Sequence, residues 1–301
     1  MTKTEKIEKN PFSDENLPSG RPSIHMSLHI AKKNLTISFR YPVSLLFWSF
    51  IPILWWLPLV FQGQALVGGF ESSFFAQITG TADFLTFLII GNVLYTYVMS
   101  AIWGAGNSIR WEQESGTLEA VFVTPINRID MLFVASLSEA VYSTITAVVQ
   151  FIVLVFIFQV PVSIFTFIPS VAFLVLMLTG MYGMGLVFAG IVLFFKDTNI
   201  LAQMTDQILS IISPIRYPTS SWNIFPVPIR ILAFFLPITL ALLAIRGMLL
   251  LGWPMLSFTQ PSALPYAGIL VLVDLILWLL GYLIFQFADN KTRKRGKVGA
   301  F

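Results

Sequence analysis

The sequence contains no cysteine and only two histidines. Disulfides, a thiol nucleophile and a cysteine-ligated metal are therefore outside its chemistry. His25 and His29 stand four residues apart with no third ligand nearby, so they read as solvated polar positions, and no metal is expected. Charge is also scarce. Asp, Glu, Lys and Arg make up 11% of the chain, against about a quarter in a soluble domain. With 56% hydrophobic residues and a mean hydropathy of +0.80, a water-soluble core is excluded and the chain falls in the membrane class. A G-x-x-x-x-G-K-[ST] phosphate cradle is missing too, since Gly296-Lys297 is followed by Val298 in a basic tail. No H-E-x-x-H occurs and no histidine lies near a carboxylate of an apolar run, so no enzyme activity is expected. The net charge of +3 does not imply nucleic acid, because the basic residues flank apolar segments instead of interleaving with aromatics.

What is present is a series of apolar runs. A helix needs about 20 apolar residues to cross the hydrocarbon, and by that measure spans are expected at roughly 42–62, 84–106, 130–159, 165–195, 198–216 and 267–288. The remaining apolar stretch, 224–256, is broken by Pro226, Pro228, Pro237 and Pro254 and carries Arg230 and Arg246. It suits two short helices that enter and leave on the outer side, with Arg246 snorkelling to the outer headgroups. The expected fold class is all-α integral membrane: six transmembrane helices, an N-terminal amphipathic interface helix, a cytoplasmic coupling helix and an outer re-entrant helical hairpin before the last span.

Lysine and arginine orient this layout. Lys3, Lys6, Lys9, Arg21, Lys32, Lys33 and Arg40 precede the first run, and Lys291, Arg293, Lys294, Arg295 and Lys297 follow the last. Six spans put both termini on one side, and the positive-inside rule makes that side the cytoplasm of a cell (plasma or inner) membrane. The expected divisions are a cytoplasmic tail and interface helix over 1–41, a six-span domain over 42–289 and a basic tail over 290–301. The polar N-terminal segment lacks the apolar core of a cleaved signal peptide, so the first span is expected to persist. Before it, Ile24, Leu28, Ala31, Leu35 and Phe39 share one helical face. Leu35, Ile37, Phe39 and Tyr41 also alternate like a strand, and the helix is favoured.

Between the second and third spans lies "IRWEQESGTLEAVFVTPINRID", with Arg110, Glu112, Glu114, Glu119, Arg128 and Asp130. Thr117 can cap a short helix from Leu118 to Val123, with Glu119 in its first turn, where the helix dipole favours an anion. Pro125 ends it. On spacing alone this is a charged connector. Its wording, however, resembles the cytoplasmic loop of the type-2 ABC exporter permeases, the family of drug, lipid and polysaccharide exporters, whose pattern runs E-x-G-T-L-E-x-L-x-x-T-P. Glu114, Gly116, Thr117, Leu118, Glu119, Thr124 and Pro125 match it, and Val121 stands where leucine is usual. A second similarity lies in the proline-rich outer segment, where Pro218, Pro226, Pro237, Thr239 and Arg246 fit and Ile238 replaces a leucine. The resemblance implies that the loop 107–129 holds a coupling helix docked on a separate ABC ATP-binding subunit. It implies a homodimer in the lipid bilayer with two copies of that subunit, which would bind the ATP and Mg. The substrate class implied is hydrophobic or amphipathic, drug or lipid-like, with a polysaccharide or lipid-linked glycan as the alternative.

Polar residues recur inside the spans. Asn92, Thr96 and Ser100 share a face of the second, Ser136, Glu139, Ser143, Thr146 and Gln150 a face of the third, and Gln203, Asp206, Gln207, Ser210 and Ser213 a face of the fifth. Such groups are costly against lipid and should face other helices or an aqueous path. Hydrogen bonding between helices and a translocation path, with Asn92, Thr96, Glu139, Ser143, Gln203, Asp206 and Ser210 as its candidates, are evenly matched readings. An ion-coupled carrier using Glu139, Asp206 and Asp274 is the rival from another class. Gly180, Gly183, Gly185 and Gly190 read as close-packing positions in the fourth span. From the charge distribution, reporters fused at residues 1 and 301 should both register cytoplasm; an external signal from residue 301 would break the six-span layout.

Overall fold

In a computed structural model the described residues, which are 32, 36, 39–67, 72–114, 128–158, 164–192, 198–257 and 261–294, form helices joined by turns, with no strand among them. The elements in order are α1 (Pro42–Val67), α2 (Ser73–Thr79), α3 (Phe84–Glu114), α4 (Arg128–Phe158), α5 (Ile164–Val192), α6 (Thr198–Ile212), a 3-10 turn (Thr219–Ile224), α7 (Val227–Phe234), α8 (Pro237–Leu250) and α9 (Leu264–Lys294). Five of them, α1, α3, α4, α5 and α9, contain stretches long and apolar enough to cross a membrane. The fold is thus that of an all-helical, multi-pass membrane protein. The expected fifth span corresponds to α6, which has 15 residues and so extends about 22 Å, less than the roughly 30 Å of hydrocarbon. Most of the expected interface helix, and residues 115–127 of the expected coupling loop, lie outside the described residues.

Burial follows helical periodicity. On α1, Ser49, Ile53, Trp56 and Val60 are buried at spacings of three and four, whereas Phe47, Trp48, Leu54 and Trp55 face outward. That one-sided stripe seats α1 at the edge of the bundle against α3 and α4. Helix α3 is the centre. It packs on α1, α4, α5, α6 and α8, and Phe84, Leu88, Leu94, Tyr97, Val98, Ala101 and Ile102 are all buried, so its apolar side chains meet protein on every side.

Helices α5 and α9 form the closest pairing, and glycine makes it possible. A Cβ on Gly183 would lie 3.0 Å from the Trp278 backbone nitrogen, one on Gly190 3.1 Å from Phe285 Cα, and one on Gly281 2.7 Å from the Gly183 carbonyl oxygen. Small residues on both partners let the backbones touch, which is how helices associate when lipid supplies no hydrophobic drive. The packing role read from the sequence for the span-four glycines is seen at Gly180, Gly183 and Gly190.

The proline-rich segment forms two helices, α7 and α8, bent by 70° to one another. Pro228 and Pro237 occupy first-turn positions, where a missing N–H costs nothing and the fixed φ suits the helix. The two helices differ in surroundings. On α7, Val227, Ile231 and Leu232 are exposed, whereas on α8 Ile238, Leu240, Ala241, Leu242 and Ala244 are fully buried against α3, α5 and α9. An element absent from the sequence reading is α2, begun by Ser72, whose Oγ accepts from the Phe75 N–H at 3.4 Å, and ended by Gly80 at φ 81°. Phe75 packs edge-on against Phe84 and Phe87, with centroids 5.2 and 5.3 Å away.

Gly281→Val should destabilise the protein by about 1–3 kcal/mol through overpacking of α5 against α9. Gly268 has nothing within 4 Å of a Cβ, so Gly268→Ala in the same helix should be neutral or stabilising by up to about 1 kcal/mol. Thermal unfolding of both variants in detergent checks the contrast.

Candidate functional site

Most of the buried polar positions of the spans fall at three contacts to which α3 contributes. At the first, between α3 and α4, the Thr96 hydroxyl donates to Gln150 Oε1 at 3.0 Å, and Asn92 Nδ2 donates to the Leu88 carbonyl at 2.9 Å. Asn92 and Gln150 are 2% and 0% exposed, yet Asn92 Oδ1 and Gln150 Nε2 have no hydrogen-bond partner among the described residues. Unsatisfied buried amides are rare and call for a water, a ligand or another chain. Two turns back along α4 from Gln150, Ser143 is buried and its hydroxyl donates to the Ala140 carbonyl at 3.1 Å. The Ser49 hydroxyl reaches Thr146 Oγ1 at 3.5 Å and ties α1 to the same helix.

The second contact joins α3 to α6. The Tyr95 hydroxyl donates to the Asp206 carboxylate, and Asp206 is buried. Beyond the end of α6, Arg216 Nη1 donates to Ser210 Oγ at 3.0 Å, and its guanidinium carbon lies 5.9 Å from the Tyr95 ring centroid. Acid, phenol, hydroxyl and guanidinium thus form one polar cluster. Gln203 and Gln207, in contrast, are exposed. They share the outward face of α6 with Ile200, Met204, Ile208 and Ile211.

The third contact lies toward the other end of α3, where a Cβ on Gly104 would come within 2.9 Å of Glu139 Cγ. Glycine there makes room for the Glu139 side chain. Asp274 is elsewhere: on α9, with Thr179 Oγ1 2.7 Å from its Oδ2 and Gly180 and Pro237 alongside. The three carboxylates Glu139, Asp206 and Asp274 therefore occupy three different helix contacts, and no group of three or more acidic or histidine side chains converges among the described residues.

Of the expected coupling residues, Glu114 is the last residue of α3. Gly116, Thr117, Leu118, Glu119, Thr124 and Pro125 lie outside the described residues. Arg246 requires a correction. Instead of snorkelling to headgroups, it is 7% exposed and donates to the Phe87 and Ile215 carbonyls at 2.9 and 2.6 Å and to the Pro214 carbonyl. Carbonyl oxygens engage both of its Nη atoms inside the bundle, as a buried charge requires, whereas its Nε has no hydrogen-bond partner among the described residues. The sequence reading also missed Tyr95. It lies one position off the Asn92, Thr96, Ser100 face, and only its partner on α6 makes it part of a polar site.

No protein-family model matches the chain, and no curated protein is detectably similar to it. The likeness of 110–125 to a permease coupling loop therefore rests on those residues alone.

Tyr95→Phe leaves the buried Asp206 carboxylate without its phenolic donor and should cost about 1–3 kcal/mol of stability. Asp206→Asn still accepts that proton and should cost less, an order that comparative thermal unfolding in detergent can establish.

Proposed function

We propose that the chain is the membrane-spanning subunit of an ATP-driven exporter, of the type-2 ABC permease kind, working as a homodimer with two copies of a separate ATP-binding subunit. Its substrate in this reading is hydrophobic or amphipathic, and it leaves the cell. The subunit itself hydrolyses nothing; ATP and Mg belong to the partner. The observation that carries the reading is the matched stretch from Glu114 to Pro125 at the end of the helix that organises the bundle. Helix α3 has 31 residues, about 46 Å, so it outruns a hydrocarbon layer of roughly 30 Å. A push on its tip reaches Thr96, Tyr95 and Asn92 along one stiff rod.

Two further observations bear on it. Exposed amides at Gln203 and Gln207 are costly against lipid, and an amide both donates and accepts, so a two-fold pairing with a second copy through α6 would satisfy them. Glu139, Asp206 and Asp274 lie at separate contacts, so they form no shared cation cage, and in an ion-coupled carrier each would have to act as a proton site by itself. The bent pair α7 and α8 serves in this reading as the re-entrant outer segment, with six spans and both termini cytoplasmic.

The test is on the loop. Glu119→Arg loses a favourable helix-start term of about 0.3–1 kcal/mol and reverses a charge at the docking face, and Gly116→Val alters the turn before it. Both variants should reach the membrane at normal levels while losing co-purification of the ATPase or stimulation of its hydrolysis by substrate. Wild-type binding and export by both would reduce the stretch to a connector. In the same assay Glu139→Gln and Asp206→Asn should retain most of the transport, whereas a proton-coupled carrier would lose its coupling.

A further inference from the structure

Arg246 sits in a site built by three segments. It projects from α8, its guanidinium carbon lies 3.4 Å from the Phe87 ring centroid, and its Nη atoms reach carbonyls of α3 and of the turn after α6. Gly91, one turn along α3 from Phe87, supplies the space. A Cβ there would fall 2.1 Å from the Ile215 carbonyl oxygen and 2.4 Å from Arg246 Nη2. No ion pair is formed by Arg246 among the described residues, so its charge is met by carbonyl dipoles. Pro214 and Ile215 follow the C-terminus of α6, the end of a helix that favours a cation.

The geometry of α3 against α6 gives this site a consequence. The two helices run antiparallel, and they are joined at two levels: Tyr95 with Asp206, and the Phe87–Gly91 turn with Ile215 through Arg246. Eight residues separate Phe87 from Tyr95 on one helix and nine separate Asp206 from Ile215 on the other strand of chain, so both levels specify one register. Around them the inward face of α6 offers Ala202 and Leu209, buried apolar side chains that resist sliding by one turn, about 5.4 Å, only weakly. A planar guanidinium with donors fixed in a fork tolerates no such slide.

We infer that Arg246 is a positioning residue that sets the register of α6 along α3, and so holds Asp206 and Ser210 opposite Tyr95 and Arg216. Three carbonyls from two segments, α3 and the turn after α6, converge on one side chain, and among the described residues α6 has no second fastening of this kind. The register claim stands whether or not the chain is an exporter. Its consequence for transport, the placement of the path candidates Asp206 and Ser210, rests on that reading.

The chain has no cysteine, so single pairs can be introduced between positions 91–99 of α3 and positions 202–215 of α6 and the turn after it, avoiding Tyr95 and Asp206, and cross-linked in native membranes. With Arg246 present, pairs level with the two observed contacts should react and pairs one turn away should not. Arg246→Gln should spread cross-linking severalfold toward the displaced pairs. Arg246→Lys keeps the charge without the fork and should give an intermediate pattern, and Gly91→Ala, which displaces the Ile215 carbonyl, should spread it as well. If Arg246→Gln does not accumulate, Arg246→Lys and Gly91→Ala decide. An unchanged cross-link pattern in the variants that insert, even with lowered stability, would reduce Arg246 to a general packing residue and overturn the inference.

Discussion

The bundle depends on one constraint: in hydrocarbon no water is present to satisfy a polar group, so each must find its partner in protein. Many of the buried polar side chains meet it by turning toward α3. Thr96 meets Gln150, Tyr95 meets Asp206, and the Phe87 carbonyl receives Arg246. The outward faces of α1, α4, α5 and α9 are correspondingly apolar, with Trp55, Phe156, Phe165 and Leu275 strongly exposed. A helix buried on all sides and carrying polar groups toward several neighbours is the element whose movement would be felt by all of them. That is why the proposed coupling loop at its tip is the natural point of entry for a motor.

Close approach is the second device. Gly183, Gly190 and Gly281 bring α5 and α9 backbone to backbone, Gly104 admits Glu139, and Gly91 admits a carbonyl and a guanidinium. The first set makes a tight, apolar pairing with little polar content beyond Asp274, Thr179 and Trp278. The contacts around α3 hold unsatisfied amides instead. Close backbone packing thus marks the α5–α9 contact and unsatisfied amides the α3–α4 contact, and in the proposed exporter the latter would lie on the path.

Much of this was legible in the sequence because lipid punishes ambiguity. Runs of apolar residues marked α1, α3, α4, α5 and α9 closely, and prolines at 226, 228 and 237 marked the starts of α7 and α8. The glycines of α5 were readable as packing because nothing chemical accompanied them. What escaped was tertiary. Arginine in an apolar segment reads as a snorkelling residue, and only the fold reveals carbonyls from Phe87, Pro214 and Ile215 converging on Arg246. Gly91 and Tyr95 are likewise ordinary within their helix and acquire a role only through α6. The short helix α2 had its signature in Ser72 and Gly80, capping residues immediately before and after its seven residues, but it was too brief to register as a hydropathy peak.

The central claim, that this chain is driven by a separate ATP-hydrolysing subunit, is tested most directly by isolating the tagged full-length chain from its native membrane under mild detergent and measuring nucleotide hydrolysis of the purified material. The account predicts that an ATPase accompanies the chain in equal copy number, and that hydrolysis responds to hydrophobic or amphipathic compounds. A chain that purifies alone, and in sealed vesicles moves ions or solutes down a proton or sodium gradient without ATP, would contradict it.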